Sequence, residues 1–322
     1  MRIGILGQPC IDALLYPGDD PSAPKRALGG VLYSYAAMER LMRENGSKTD
    51  SYVPLTWLSV PDRDYLETLL RRFEHIDRSA GLWQTDSLTN RVQLVYKESG
   101  DREEHCPHIL PELTSEELTQ SLLESLDGLF VNMISGFDIL IDALETALRE
   151  SKKRPFLHLD VHALILGVLS ESGKGGYGLG RAPHGVRAWR RWLAVADSVQ
   201  MNENEVRWFA DPDFRSEEEL LRAIERMEVH ERPRQIILTR ASRGASLYSF
   251  GSGEAHHIPV PKITAVETTG SGDVFGSAYI FSILQGKPLE EALREAVRWA
   301  SWKTTLTSIE QILDAPLFHS NS

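Results

Sequence analysis

Val266-Glu267-Thr268-Thr269-Gly270-Ser271-Gly272-Asp273-Val274-Phe275 is the stretch on which the reading of this chain turns. Two glycines and a serine allow the backbone a tight turn. The apolar positions that follow, Phe275, Ala278, Phe281, Ile283 and Leu284, cover one side of a helix over residues 272–284. Gly286 and Pro288 stop it. Such a helix start offers free N–H groups and the positive end of the helix dipole, a place for phosphate charge. Asp273 falls in the first turn, close to where that anion would sit. A carboxylate beside an anion hole is electrostatically awkward unless it has a task, and taking a proton from an attacking hydroxyl is the obvious one. The plainer alternative is a Gly-rich turn with Asp273 as an ordinary helix-start acid. The upstream threonines, the helix stop and the position late in an α/β pattern weigh against it.

That pattern runs through the preceding half of the chain. Strands are expected at 128–132, 155–160, 198–201 and 235–239, with helices at 138–148, 186–195, 204–209 and 216–227. A hairpin over 245–249 and 255–260 turns at Gly251-Ser252-Gly253, and helices at 272–284 and 288–306 close the chain. Alternating strands and helices call for a parallel sheet covered on both faces. Upstream, an apolar strand at 2–7 precedes a helix at 30–42 whose stripe is Leu32, Ala36, Ala37, Leu41 and Met42. The character changes over 51–107: strands at 52–58 and 89–96 flank a helix at 61–73 opened by Pro61. The glycine-rich run from Ser172 to Gly180 reads as a mobile loop.

The 322 residues carry 35 Lys and Arg against 46 Asp and Glu, a net charge of −11, with 42% hydrophobic and 25% charged residues. This is ordinary globular composition with enough length for a substantial core. The acidic balance argues against nucleic acid or an anionic membrane as partner, although a local basic pocket is compatible with it. Cys10 and Cys106 form no spaced pair, no apolar run is long enough to span a bilayer, and a reducing cytoplasm is the expected compartment.

Thr268-Thr269-Gly270-Ser271-Gly272-Asp273-Val274-Phe275 closely resembles the C-terminal signature of the ribokinase-like (PfkB-type) carbohydrate kinases. The family's usual form has aspartate where this chain has Glu267 and alanine where it has Ser271. The resemblance continues along nearly the whole chain in order. Gly29-Gly30 before a helix is similar to the family's substrate-side double glycine, and Asp12 to its sugar-hydroxyl ligand. Asn202-Glu203-Asn204-Glu205 matches Asn-x-x-Glu, and Thr239-Arg240-Ala241-Ser242-Arg243-Gly244 matches Thr-x-Gly-x-x-Gly with Ala241 in place of the middle glycine.

The resemblance implies an α/β fold, a ribokinase-like three-layer sandwich with a central, mostly parallel sheet and a small β-rich lid. On this basis residues 1–12, 26–50 and 108–322 form the large domain and 13–25 with 51–107 the lid. It also implies ATP-dependent phosphorylation of a hydroxyl on a sugar, nucleoside or related polyol. Asp273 is then the catalytic base, and the backbone amides of Gly270, Ser271 and Gly272 hold the transferring phosphoryl. Asn202 and Glu205 organise Mg2+, through water. Thr239, Gly244 and Thr269 line the ATP site, and residues 258–264 edge the adenine. Asp12, Gly29, Gly30, Ser34 and Asp160 face the substrate. Pairing of two copies through the lid is a further expectation, since exposed sheet edges seek partners.

Four departures from the family pattern bear on this. Glu267 adds a methylene; Ala241 resists positive φ; Ser34 stands where many members carry asparagine; and His162 follows Asp160 where they carry asparagine or arginine. The first three motivate the rival reading, a member of the fold that binds nucleotide or sugar but has weakened catalysis. Taken from residues alone, Asn202 and Glu205 also fit a capping asparagine with a solvated glutamate. His158, Asp160 and His162 alternate on a strand, which fits a metal site less well than a strand end reaching a cleft. Arg91, His256 and His257 read as surface residues, and the pairs Trp189/Trp192 and Trp299/Trp302 as core. Neither a P-loop around Gly173-Lys174-Gly175-Gly176 nor a Gly-x-Gly-x-x-Gly after the first strand is present.

Overall fold

The computed structural model describes residues 1–20, 22–96, 102–172, 176–181, 188–209 and 216–317. The chain opens with β1 (Arg2–Leu6), whose Ile3, Ile5 and Leu6 have no solvent exposure. β2 (Pro9–Leu15) and β3 (Lys25–Gly30) follow, then α1 (Leu32–Asn45), β4 (Ser51–Ser59), α2 (Arg63–Leu70), β5 (Leu82–Thr85), β6 (Asn90–Tyr96) and β7 (Arg102–His108). Helix and strand then alternate through α3 (Gln120–Glu124), β8 (Gly128–Asn132), α4 (Ile141–Glu150) and β9 (Phe156–Asp160). A hairpin of β10 (Leu166–Ser172) and β11 (Gly176–Arg181) interrupts the series. It resumes with α5 (Trp189–Val195), β12 (Ser198–Asn202), α6 (Glu203–Phe209), α7 (Glu217–Glu225) and β13 (Gln235–Thr239). The hairpin β14 (Ala245–Ser249) and β15 (Ala255–Ile258) and helices α8 (Ser271–Leu284), α9 (Leu289–Lys303) and α10 (Ile309–Asp314) complete the chain.

Among the described residues, nine strands form one sheet in the order β15-β14-β13-β12-β9-β8-β1-β4-β5, parallel except at the β13-β14-β15 edge. Alternation along the strands splits the core in two. Ile3 and Ile5 join α1, α2, α8, α9 and α10 in one cluster, whereas Leu6, Val131 and Leu159 join α3 to α7 in the other. The sheet is thus the middle of three layers. Helix α8 is apolar around nearly its whole circumference and is buried from Val274 to Ser282, as a helix without a polar face must be. Trp299 and Trp302 pack edge-to-face with ring centroids 5.4 Å apart in that layer, and Trp189 and Trp192 are buried in the other, as expected of core residues.

The second sheet has the order β10-β11-β7-β6-β2-β3. Its membership differs from the lid expected at 13–25 and 51–107. β4 and β5 belong to the large sheet, and nearly every residue of β4 is buried, the mark of a strand covered on both faces rather than of a lid strand. In exchange the small sheet takes the whole of β2 and β3, from Pro9 to Gly30, together with the β10–β11 hairpin. The glycine-rich run read as a loop therefore supplies strand on both sides of residues 173–175, which lie outside the described residues, as do residues 186–187 of the helix expected at 186–195.

Candidate active site

The strand order reverses between β1 and β8: from β1 the chain builds outward through β4 and β5 on one side and through β8, β9, β12 and β13 on the other. At such a switch point the carboxyl ends of parallel strands leave a crevice. Polar residues close the apolar strands there: Asn132 ends β8, Asp160 ends β9, Asn202 ends β12 and Thr239 ends β13. The register sets them side by side, Asn132 opposite Asp160, Asp160 opposite Gln200, and Asn202 opposite Thr239.

The start of α8 points into this row. Gly270 is its N-cap, with φ +79°, and a Cβ there would run into the Tyr33 ring, so both conformation and packing demand glycine. Gly272 is different: a Cβ would meet only Gln200 Nε2 and Asp160 Oδ2, at 3.6 and 3.7 Å, an ordinary contact. Its glycine is not required by the protein's own packing. The Ser271 amide donates to Thr268 O at 3.1 Å, closing the turn, so it is not free for an anion as expected. The Gly270 and Gly272 amides have no such partner among the described residues. Glu267 Oε1 accepts from Thr269 N at 2.9 Å, so the longer acid still ties the loop to itself.

Asp273 is partly exposed in the first turn of α8, and its Oδ1 accepts from Asn132 Nδ2 at 2.6 Å. The same Asn132 amide donates to Ser34 Oγ at 2.8 Å. Ser34 is fully buried, so in this structure its hydroxyl serves the asparagine that holds Asp273. Burial raises the Asp273 carboxyl above its ordinary range, opposed by the Asn132 hydrogen bond and by the charges of His162 and Lys303.

Asp160 is buried, with Oδ2 accepting from Gln200 Nε2 at 2.9 Å and Oδ1 from the His162 amide at 2.9 Å. Gln200 Nε2 also donates to Gly272 O at 3.1 Å, joining this carboxylate to α8. Burial, with the nearby charges of Glu205 and Asp273, pushes the Asp160 carboxyl up to about 7.

Asn202 and Glu205 form a capping box at the start of α6. Asn202 Oδ1 accepts from the amides of Asn204 and Glu205, both at 2.9 Å, and Glu205 Oε2 accepts from Asn202 N at 2.7 Å. Glu205 is not solvated, however: it is 4% exposed, and its Oε1 lies 2.8 Å from His162 Nδ1. His158 is a core residue, its Nδ1 2.7 Å from Ser198 Oγ and its ring between Phe130 and Tyr279; burial lowers its pKa to about 4. Among the described residues no three His, Cys, Asp or Glu side chains are placed to hold a metal by themselves, and no helix is long and apolar enough to cross a membrane.

On the other side of the row, Thr239 leads into a turn in which Arg240 N donates to Gly244 O at 2.7 Å. Gly244 has φ +97°, and a Cβ would strike Ile258 O. Ala241 takes φ +45° in spite of its Cβ, so the turn keeps the shape a glycine would give it, at the cost of strain. Ala241→Gly is therefore expected to stabilise the protein by roughly 0.5–1 kcal/mol in urea unfolding; an unchanged or lower midpoint would show that no strain resides there. On the small sheet, Asp12 Oδ2 packs against Gly29, where no side chain fits, and Gly30 has φ +65°. Arg91 does not reach the row, its Nη2 donating instead to Asp62 Oδ1 at 2.6 Å.

The structure thus joins Ser34, Asp160, Asp273 and the residues 270–272 into one network, and sets Asn202, Glu205 and Thr239 beside it. The residues that make the joins, Asn132, Gln200 and Lys303, were not singled out in the sequence. Each left a trace: Asn132 ends an apolar run, Gln200 interrupts one, and Lys303 lies four residues from Trp299 on the buried stripe of α9.

Residues 180–314 match the sequence model of the pfkB family carbohydrate kinases. Ribokinases from Arabidopsis thaliana and Bacillus subtilis are 34% and 41% identical to this chain over 68 and 69 residues, in each case 21% of this chain and 18% and 23% of theirs. The chain therefore spans about a fifth of the length of these relatives in sequence. In structure the likeness extends over nearly the whole chain. A pyrophosphate-dependent kinase in the ribokinase family superposes with a TM-score of 0.70 at 16% identity, over 94% of this chain and 95% of the other. A ribokinase from Thermotoga maritima does so at 0.67 and 20% identity, over 96% and 97%. Residues 180–314 thus carry the sequence pattern of the pfkB family carbohydrate kinases, and the chain has the ribokinase fold along nearly its whole length.

Proposed function

We propose that this chain transfers the γ-phosphoryl group of ATP to a hydroxyl of a sugar, nucleoside or related polyol. The observation that carries the reading is the geometry of Asp273: a partly exposed carboxylate, raised in pKa by burial and held by Asn132, one residue from an unpartnered glycine amide at a helix start. Asp273 takes the proton from the acceptor hydroxyl as its oxygen bonds to the γ-phosphorus; the β–γ bridging oxygen leaves with its electron pair as ADP. The amides of Gly270 and Gly272 and the dipole of α8 receive the charge on the transferring group. Mg2+ would supply neutralisation of phosphate charge. The residues present fit it at one remove, through water, since a cation nearby would relieve the repulsion between the Asp160 and Glu205 carboxylates, and Mg2+ needs few protein ligands when phosphates and water complete its shell. Glu205 acts from behind, its oxygens being occupied by Asn202 and His162.

Asp12 and Gly29 on the small sheet would contact the acceptor, and that sheet would act as the lid. Thr239, Gly244 and Thr269 would face the nucleotide. Relatives named ribokinase, fructokinase and cytidine kinase support a polyol or nucleoside acceptor. The test is a screen of sugars, sugar phosphates, nucleosides and inositols with ATP and, in parallel, pyrophosphate as donor, read by product formation. Turnover with one acceptor class is expected. Tight ligand binding by calorimetry with no transfer from either donor would instead identify a binding protein on a kinase fold.

A further inference from the structure

Helix α9 ends in a buried charge for which the reaction above has no use. Lys303 has no solvent exposure, and its Nζ lies 3.3 Å from two carbonyl oxygens, those of Glu267 and Leu306. The Tyr33 ring is 5.5 Å away, and this is the ring that packs on Gly270. Glu267 begins the loop that runs into the α8 N-cap, and the same loop is bound to the end of α9 twice more, through Val266 N and Glu267 N to Thr304 O at 2.7 and 3.0 Å. A buried ammonium is costly unless dipoles and charges answer it. Here two carbonyls, a ring face and the charges of Glu267 and Asp273 do so, yet burial still lowers its pKa to about 8.

We propose that Lys303 is a tethered cation behind the anion-binding loop, a positioning residue that fixes residues 266–270 so that the Gly270 and Gly272 amides meet the transferring phosphoryl. Its positive charge sits on the protein side of the loop, where it adds to the α8 dipole as negative charge develops on the other. The carbonyls around it are the donors that hold any small monovalent cation, so the ammonium is exchangeable in principle with a free ion. The proposal rests on the phosphoryl-transfer reading of residues 270–273.

Lys303→Met fills the space without the charge, and Lys303→Ala removes both. Both are expected to lose about 100-fold in kcat, as small misplacements of reacting groups do, with little change in acceptor KM. Ammonium or potassium chloride should restore much of the loss in Lys303→Ala, while tetramethylammonium, too large for the cavity, should not; wild type should respond to none of them. Wild-type kcat in a folded Lys303→Met overturns the proposal. So does a loss in Lys303→Ala that small cations leave untouched while thermal stability falls in step, the mark of a merely structural residue. If wild type itself shows no transfer, the kinase reading fails separately, and the same variants are read by pyrophosphate binding. Lys303→Met should then bind pyrophosphate at least tenfold more weakly, and equal affinity overturns the proposal.

Discussion

Asp273→Asn is expected to lower kcat by ~10³-fold or more, the range in which a positioned general base contributes, while leaving the affinity for nucleotide nearly unchanged. The substitution alters little else. Asparagine has the shape of aspartate, and its Oδ1 can still accept from Asn132 Nδ2. Burial already disfavours the Asp273 charge, so a neutral amide is tolerated by the fold, and the variant should be at least as stable as wild type at pH 8. The pH profile carries the same information. A base works deprotonated, and a raised pKa means that protonation begins at higher pH than for an ordinary aspartate. Log kcat/KM of wild type should therefore fall with unit slope below that pKa and level off above it, with His162 and Lys303 as the neighbouring charges that modulate the midpoint. The limb should vanish in the variant. Turnover at the wild-type rate would remove Asp273 from the role of base.

The start of α8 could be read from the sequence because its chemistry is local: glycines for a tight turn, an acid in the first turn, an apolar run behind. The strands at 128–132 and 235–239 were legible for the same reason, short apolar runs between turn signals. What Asp273 and Asp160 touch was not legible. Asn132 lies 141 residues from Asp273 and Gln200 lies 72 from Gly272, and only the register β8-β9-β12 and the docking of α8 bring them together. Of the lid expected at 51–107, β6 and β7 lie in the small sheet, whereas β4 and β5 lie in the large one. Tyr52-Val53-Pro54-Leu55-Thr56-Trp57-Leu58 reads as a strand of either sheet, and the continuous burial that assigns it to the large one comes from helices on both faces. Residues 172 and 176–180, expected as loop, pair as strand instead, because glycine weakens a strand signal without forbidding pairing. Asn202 and Glu205 show a third case. The spacing that resembles a family motif is also that of a capping box, and the structure uses it as one, while the buried contact to His162 is what distinguishes this Glu205 from a solvated one.

Asp160→Asn should separate stability from function, and its sign follows from linkage. The folded carboxyl titrates at about 7, against about 3.9 when unfolded. Between those values the native state holds a proton that the unfolded state has released, so wild-type stability falls as pH rises through the window and stays low above it. The asparagine side chain has no proton to lose. Its amide geometry toward Gln200 and the His162 N–H adds a pH-independent term that cancels when one protein is compared at two pH values. Relative to wild type, the variant is therefore expected to gain stability in urea unfolding between pH 5 and pH 8, by an amount on the order of 2 kcal/mol. Activity should move the other way. Asp160 shares Gln200 with Gly272, and its charge, with that of Glu205, makes the row attractive to the magnesium that accompanies the nucleotide; removing it should raise the Mg2+ requirement for turnover. A stability difference that does not change with pH would show that Asp160 is ionised across the range.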